Sequence, residues 1–237
     1  MKRNYIEEII ERNGRKQSSP DCINSTLARI QSISELADHL HIIRSERSYQ
    51  EEGALINNIS ELPFFEYETA KYIPIGLISC VETYFKETYA RIINSSLEFK
   101  SNASDLDVRF SLKNVVDLEK NDLSVGEFIS HLLGVNNLVE INKYMSTIIG
   151  CDFLKELRKW RAIEDKQLTI FSISDEVKDS ALISGIEEVF SYRHQFCHES
   201  ASVGMENMNS VLGGINVIAE FLWVTEQFVS HTLGEST

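Results

Sequence analysis

The sequence predicts an all-α protein: a helical bundle with an additional N-terminal helix. Three observations carry this prediction. Apolar residues recur at three- and four-residue steps through several long segments, which is the period of a helix with one buried face. Helix-start signals stand ahead of those segments. The 237 residues hold only three prolines, and the eleven glycines are scattered. Hydrophobic residues at 43% and charged residues at 25% are the proportions of a folded globular chain. The length suits one domain with an appendage, read as a helical extension over residues 1–60 and a helical domain over 65–233.

Met1 to Asp21 mixes charges with Gly14 and the Ser18-Ser19-Pro20 run, and reads as a short helical turn followed by a linker. Ile23, Leu27, Ile30, Ile33, Leu36, Leu40 and Ile43 then form one face of an amphipathic helix. A polar joint with Gly53 follows. Pro63 and Pro74 bracket a segment that begins the next helix or kinks it near its start. That helix is clearest from Ile75 to Asn94, where Leu77, Val81, Tyr84, Phe85, Thr88 and Ile92 make a stripe for the centre of the core.

Lys100 to Asp122 is polar and weakly periodic, and reads as a long connection with a turn or two around Phe110 to Val116. Ser124-Val125-Gly126-Glu127 fits a capping box, so a helix should run from there through Leu133. Asn137 to Ile149 and Asp152 to Ala162 read as two helices separated by Gly150. Leu168 to Ile173 alternates apolar and polar residues and is expected to be extended. Ser174 or Asp175 caps a helix carrying Ile183, Ile186, Val189 and Phe190. Glu199 to Gly204 is a loop, and the last helix, from about Glu206 to His231, repeats Met208, Leu212, Ile215, Ile218, Leu222 and Val229. Gly213-Gly214 lies inside it at a cost of about 1 kcal/mol per glycine relative to alanine. A tight helix crossing or a subunit contact would account for the pair.

A formal charge of −13 counts against a general nucleic-acid coat, because any RNA contact must work through a local basic patch. Cys22, Cys80, Cys151 and Cys197 are far apart and include no C-x-x-C pair, so neither a structural zinc site nor a disulfide frame is indicated. Charges throughout Met1 to Lys16 exclude a signal-peptide reading of that stretch. The apolar run Val211 to Val224 is broken by Asn216 and Glu220 and is shorter than the ~20 residues of a membrane span. A cytoplasmic protein is expected, with no membrane association and no cofactor.

Arg193-His194-Gln195-Phe196-Cys197-His198 concentrates an arginine and two of six histidines in six residues. A fixed cation beside two groups that exchange protons near neutral pH suits phosphodiester cleavage without a metal. His194 and His198 share a helix face, whereas Arg193 and His198 are about 140° apart. Their convergence requires the long arginine to reach around, the helix to end or loosen before His198, or a second copy to supply one of them. Bland readings stand beside this: polar residues at a helix end, or a His-x3-His metal pair that lacks the Glu of H-E-x-x-H. Cys197, beside bulky Phe196, is expected to be buried and inert.

The motif closes one helix and precedes another, and an earlier helix contains Gly76-Leu-Ile-Ser-Cys-Val-Glu-Thr-Tyr-Phe85. This order resembles the HEPN superfamily (higher eukaryotes and prokaryotes nucleotide-binding), small helical bundles marked by Arg-x4-6-His, over roughly Phe65 to Leu233. The resemblance implies a metal-independent endoribonuclease working as a homodimer, commonly a toxin or antiphage effector under an antitoxin or other regulatory protein. Some members are non-catalytic, so a partner- or nucleotide-binding module is the alternative it leaves open. On the catalytic reading His198 is general base or acid, with the two roles open to division between protomers, Arg193 stabilises charge on the phosphorus oxygens, and His194 orients the phosphate or tunes His198. The products would be a 2′,3′-cyclic phosphate and a 5′-hydroxyl.

Glu82 on the central helix is either a solvent-facing glutamate or the partner that holds Arg193. Lys155, Arg158, Lys159, Trp160 and Arg161 are the densest basic cluster. They form either an RNA-binding strip with a stacking indole or an exposed helix face with a half-buried indole. His39, His41, His131 and His231 have no sequence partner and read as surface or capping residues. Phosphate-loop, nucleophile-elbow and dinucleotide fingerprints are absent from the sequence.

Overall fold

A computed structural model describes Ile6, Glu8, Ile9 and residues 22–51, 64–168, 175–198 and 208–235, with side chains beyond those first three described over 22–40, 70–160, 181–197 and 213–235. The described residues are helical throughout their regular structure, with no strand, so the protein is all-α. In order the helices are α1 (Cys22–Glu51), α2 (Phe64–Ser95), α3 (Leu97–Asn102), a single 3₁₀ turn (Ala103–Asp105), α4 (Leu112–Lys120), α5 (Val125–Leu132), α6 (Leu138–Ile149), α7 (Phe153–Leu168), α8 (Asp175–His198) and α9 (Met208–Leu233). No helix among the described residues is long and apolar enough to cross a membrane.

Helix α2 is the axis of the bundle. Leu77, Val81, Tyr84, Phe85, Thr88 and Ile92, the stripe read from the sequence, are all buried. Around it pack α1, α3, α5, α6, α8 and α9. Pro74 lies inside the helix, which continues through it from Phe64, so the helix begins eleven residues before Ile75. Phe85 sits at the middle of the aromatic core, its ring 5.7 Å from Phe221 of α9 and 6.3 Å from Phe153 of α7. Ile23, Ile30 and Ala37 bring α1 into this same core. A smaller cluster joins Ile6 and Ile9 to Phe128, Leu118, Leu123 and Leu132.

The capping box at α5 forms with both of its bonds: Glu127 N donates to Ser124 Oγ at 3.1 Å and Ser124 N to Glu127 Oε2 at 2.9 Å. Gly150 ends α6 with φ at 76°, a left-handed conformation in which a Cβ is disfavoured. The expected connection over Lys100 to Asp122 is instead largely helical, with the end of α3, a 3₁₀ turn and α4. Its start signal is a second capping box in which Asn114 fills the place usually held by Glu or Gln, with Ser111 N donating to Asn114 Oδ1 at 2.9 Å. Leu112, Val115 and Val116 remain exposed, which is why the segment shows no core-like period.

Helix α7 runs six residues past Ala162. The alternating segment ending at Ile173 lies, after Leu168, outside the described residues. So do the loop Glu199 to Gly204, the joint at Gly53, the linker before Asp21 and the first two residues of the expected last helix.

Candidate active site

Helix α8 buries Leu182, Ile186, Val189 and Phe190, the spacing that seats it on α2 and α9. Its orientation follows from two close approaches. Gly185 lies against Val217, and Gly214 lies against Val189, so α8 and α9 run antiparallel. Leu77 meets the same Gly214, and Phe85 meets Phe221, so α2 runs parallel to α9 and antiparallel to α8. Near its end α8 is anchored by Tyr192, which is buried, stacks on Phe196 at 6.2 Å and donates its hydroxyl to Glu188 at 2.7 Å.

Arg193 is half-buried in the crease between α8 and α2, and its Nη2 donates to Glu82 Oε1 at 3.3 Å. This is one bond of moderate length, longer than the 2.7–2.9 Å typical of closed charge-assisted pairs. Helical side chains tilt toward the start of their helix, so the guanidinium is directed away from the end of α8. His198 is the last residue of the helix, in the opposite direction, and its side chain is outside the described residues.

The helix is unbroken through His198, which removes the option that it ends or loosens before that residue. Within one chain, then, Arg193 and the backbone position of His198 diverge by about 140° around the helix. His194 is exposed on the outer face of α8. Cys197 is also exposed, contrary to the expectation of a buried thiol. Phe196 takes the inward direction by stacking on Tyr192, and the next residue is turned about 100° away from it.

Within the basic cluster the cations and the indole face different ways. Lys155, Arg158 and Lys159 are exposed, with Lys159 Nζ paired to Glu156 at 2.6 Å, while Trp160 lies 100° or more around α7 from all three. Trp160 is half-buried, with its ring 4.4 Å from that of His231 on α9 and its Nε1 buried without a partner among the described residues. Arg161 belongs to the same helix, and its side chain is outside the described residues. His231 thus gains an aromatic partner. His131 is mostly covered and lies 2.9 Å from Glu8, which replaces the surface reading given to it. His39 Nδ1 lies 2.6 Å from Glu35 O on the surface of α1, and the side chain of His41 is outside the described residues.

A second polar constellation escaped the sequence reading. Glu226 of α9 is buried in the core and accepts from Tyr84 at 2.8 Å, Arg91 at 2.8 Å and Ser230 at 3.3 Å. Burial and the neighbouring Glu226 carboxylate push the Tyr84 phenol well above its ordinary range, so it stays a neutral donor. Burial opposes the charge on Arg91, but the hydrogen bond and charge of Glu226 outweigh it and hold the guanidinium ionised. The signal was available. Glu226 follows Leu222 by four and precedes Val229 by three, a charge standing at a position the apolar period reserves for the core.

No group of three His, Cys, Asp or Glu side chains among the described residues is placed to hold a metal ion. No protein family, curated protein or solved structure matches this chain.

Proposed function

We propose that this protein is a metal-independent endoribonuclease of HEPN type, a cytoplasmic toxin or antiphage effector that cleaves RNA by attack of the 2′-hydroxyl at a composite homodimer site. The observation that carries the reading is Arg193, half-buried and tied to Glu82, one helical turn from a helix end that also carries His194 and His198. A guanidinium with a single 3.3 Å anchor has donors left for a phosphate, and an imidazole supplies proton transfer near neutral pH. Because Arg193 and His198 of one chain diverge, each protomer supplies half of a centre and a second copy completes it. A cell producing such an enzyme needs a regulatory protein to restrain it, and the acidic chain suits a basic one.

The test is RNA cleavage by the purified protein in EDTA, with mapping of the ends. The reading requires 2′,3′-cyclic phosphate and 5′-hydroxyl ends and loss of cleavage in Arg193→Ala and His198→Ala. Undiminished cleavage in both variants would sink it. The net charge of −13 favours one second reading, a non-catalytic HEPN-like module that binds a partner protein or nucleotide. Absence of cleavage at every enzyme concentration, together with a stable complex in pull-down, selects that module.

A further inference from the structure

We infer that Glu82 is the general base of this site, taking the proton of the attacking 2′-hydroxyl and leaving His198 to protonate the departing 5′-oxygen. The inference rests on the nuclease reading above and assigns its two proton transfers.

The geometry points to Glu82 in three ways. Only one of its carboxylate oxygens is engaged: Oε1 accepts from Arg193, and no partner of Oε2 is found among the described residues. The carboxylate is reachable, with its side chain 33% exposed in the same crease as the guanidinium at 28%. And helical side chains tilt toward the start of their helix, so the guanidinium beside Glu82 is directed away from the end of α8 where its own His198 sits. A phosphate held by the remaining donors of Arg193 would lie within reach of Oε2.

The chemistry has a place for such a group. In an in-line displacement the attacking and leaving oxygens are on opposite sides of phosphorus, so one imidazole cannot serve both in a single step. His194 does not fill the gap, because it lies about 100° around α8 from Arg193, on the outer face. In the step assigned here the O2′–H bond breaks and the proton passes to Glu82 Oε2. O2′ bonds to phosphorus and the P–O5′ bond breaks. The departing O5′ takes a proton from the imidazolium of a second copy's His198, while Arg193 holds the non-bridging oxygens. Exchange with water restores both groups, so no oxidant, metal or co-reactant is consumed.

The experiment compares wild type, Glu82→Gln and His198→Ala on an RNA oligonucleotide and on the same oligonucleotide carrying a 5′-phosphorothiolate at the mapped cleavage point. Glutamine keeps an acceptor for Arg193 but cannot serve as the base, and a thiolate leaves without protonation. Glu82→Gln is expected to lose about 100-fold or more on both substrates, while His198→Ala loses a comparable factor on RNA and regains most of it on the phosphorothiolate. Glu82→Gln cleaving RNA within a few-fold of wild type, or rescued by the thiolate, overturns the assignment while leaving the nuclease intact. Wild type inert on both substrates overturns the nuclease reading, and the base with it.

Discussion

A Cβ built on Gly214 would stand 2.5 Å from Val189 Cγ2, whereas one built on its neighbour Gly213 meets nothing within 4 Å. The two glycines therefore have opposite meanings. Gly214 is the contact by which α9 crosses α8, and Val189 is β-branched and buried, so it has little freedom to give way. Gly214→Ala should destabilise the protein by about 1–2 kcal/mol after its gain in helix propensity is counted. Gly213→Ala should stabilise it by about 0.5–1 kcal/mol. Urea denaturation of the two variants checks both signs, and equal shifts would contradict this geometry.

Glu226 gathers Tyr84, Arg91 and Ser230 around one buried carboxylate. Glu226→Ala removes the acceptor of a wholly buried phenol and the counter-ion of a guanidinium that is 34% exposed on its side chain. That exposure places the loss at the lower end for a broken buried pair, about 3 kcal/mol. Tyr84→Phe, which leaves the carboxylate its other two donors, should cost about 1–2 kcal/mol. Chemical denaturation with fluorescence detection separates the two.

The cysteines should react in a fixed order. Burial, reinforced by Glu87, pushes the Cys22 thiol up to about 12, and burial raises Cys80 as well. Cys151 is exposed but raised by partial burial and by Glu156 and Asp152, while Cys197 is exposed on α8. Because the thiolate is the nucleophile, iodoacetamide near pH 8.5 should label Cys197 first and Cys151 more slowly, reaching Cys22 and Cys80 only on unfolding. Peptide mass spectrometry reads the order.

The same thiol gives an alkaline signature. Above pH 9 the unfolded chain ionises Cys22 while the folded chain keeps it protonated until about pH 12, so stability falls as pH rises through that window. Cys22→Ala should flatten the fall. An unchanged slope in the variant would show that other groups set it.

The proposed centre, built from one chain's arginine and another's histidine, has a distinctive genetics. Arg193→Ala and His198→Ala, each inactive alone, should regain activity when subunits are mixed. Half the dimers are then mixed and each carries one intact centre of two, so the yield is about one quarter of wild type. No recovery after verified subunit exchange would place both residues in one protomer's centre.

Much of the architecture is legible in the residues themselves. The stripe from Leu77 to Ile92 and the Ser124 capping box announce α2 and α5 because local period and cap chemistry determine them. Helix α4 is not announced, since its cap uses Asn114 and its apolar residues other than Leu118 face outward. In the candidate site, the Arg193 and Glu82 contact joins residues 111 apart, so it is available only as a pairing of two helices already recognised. Cys197 is misjudged from sequence because its neighbour Phe196 takes the inward direction, and the partner of Trp160, the ring of His231, is on another helix and has no local signal.

The bond between Tyr84 and Glu226 spans 142 residues, and α9, which brings Glu226, also closes over α1, α2, α7 and α8. During synthesis the axis of the bundle is therefore made early and covered late. Until α9 has left the ribosome, α2 lacks one of its principal walls, and Val189, which seats the Arg193 helix, lacks the Gly214 surface it packs on. The crease that pairs Arg193 with Glu82 therefore takes its final form late, only after α9 has closed over both of the helices that make it.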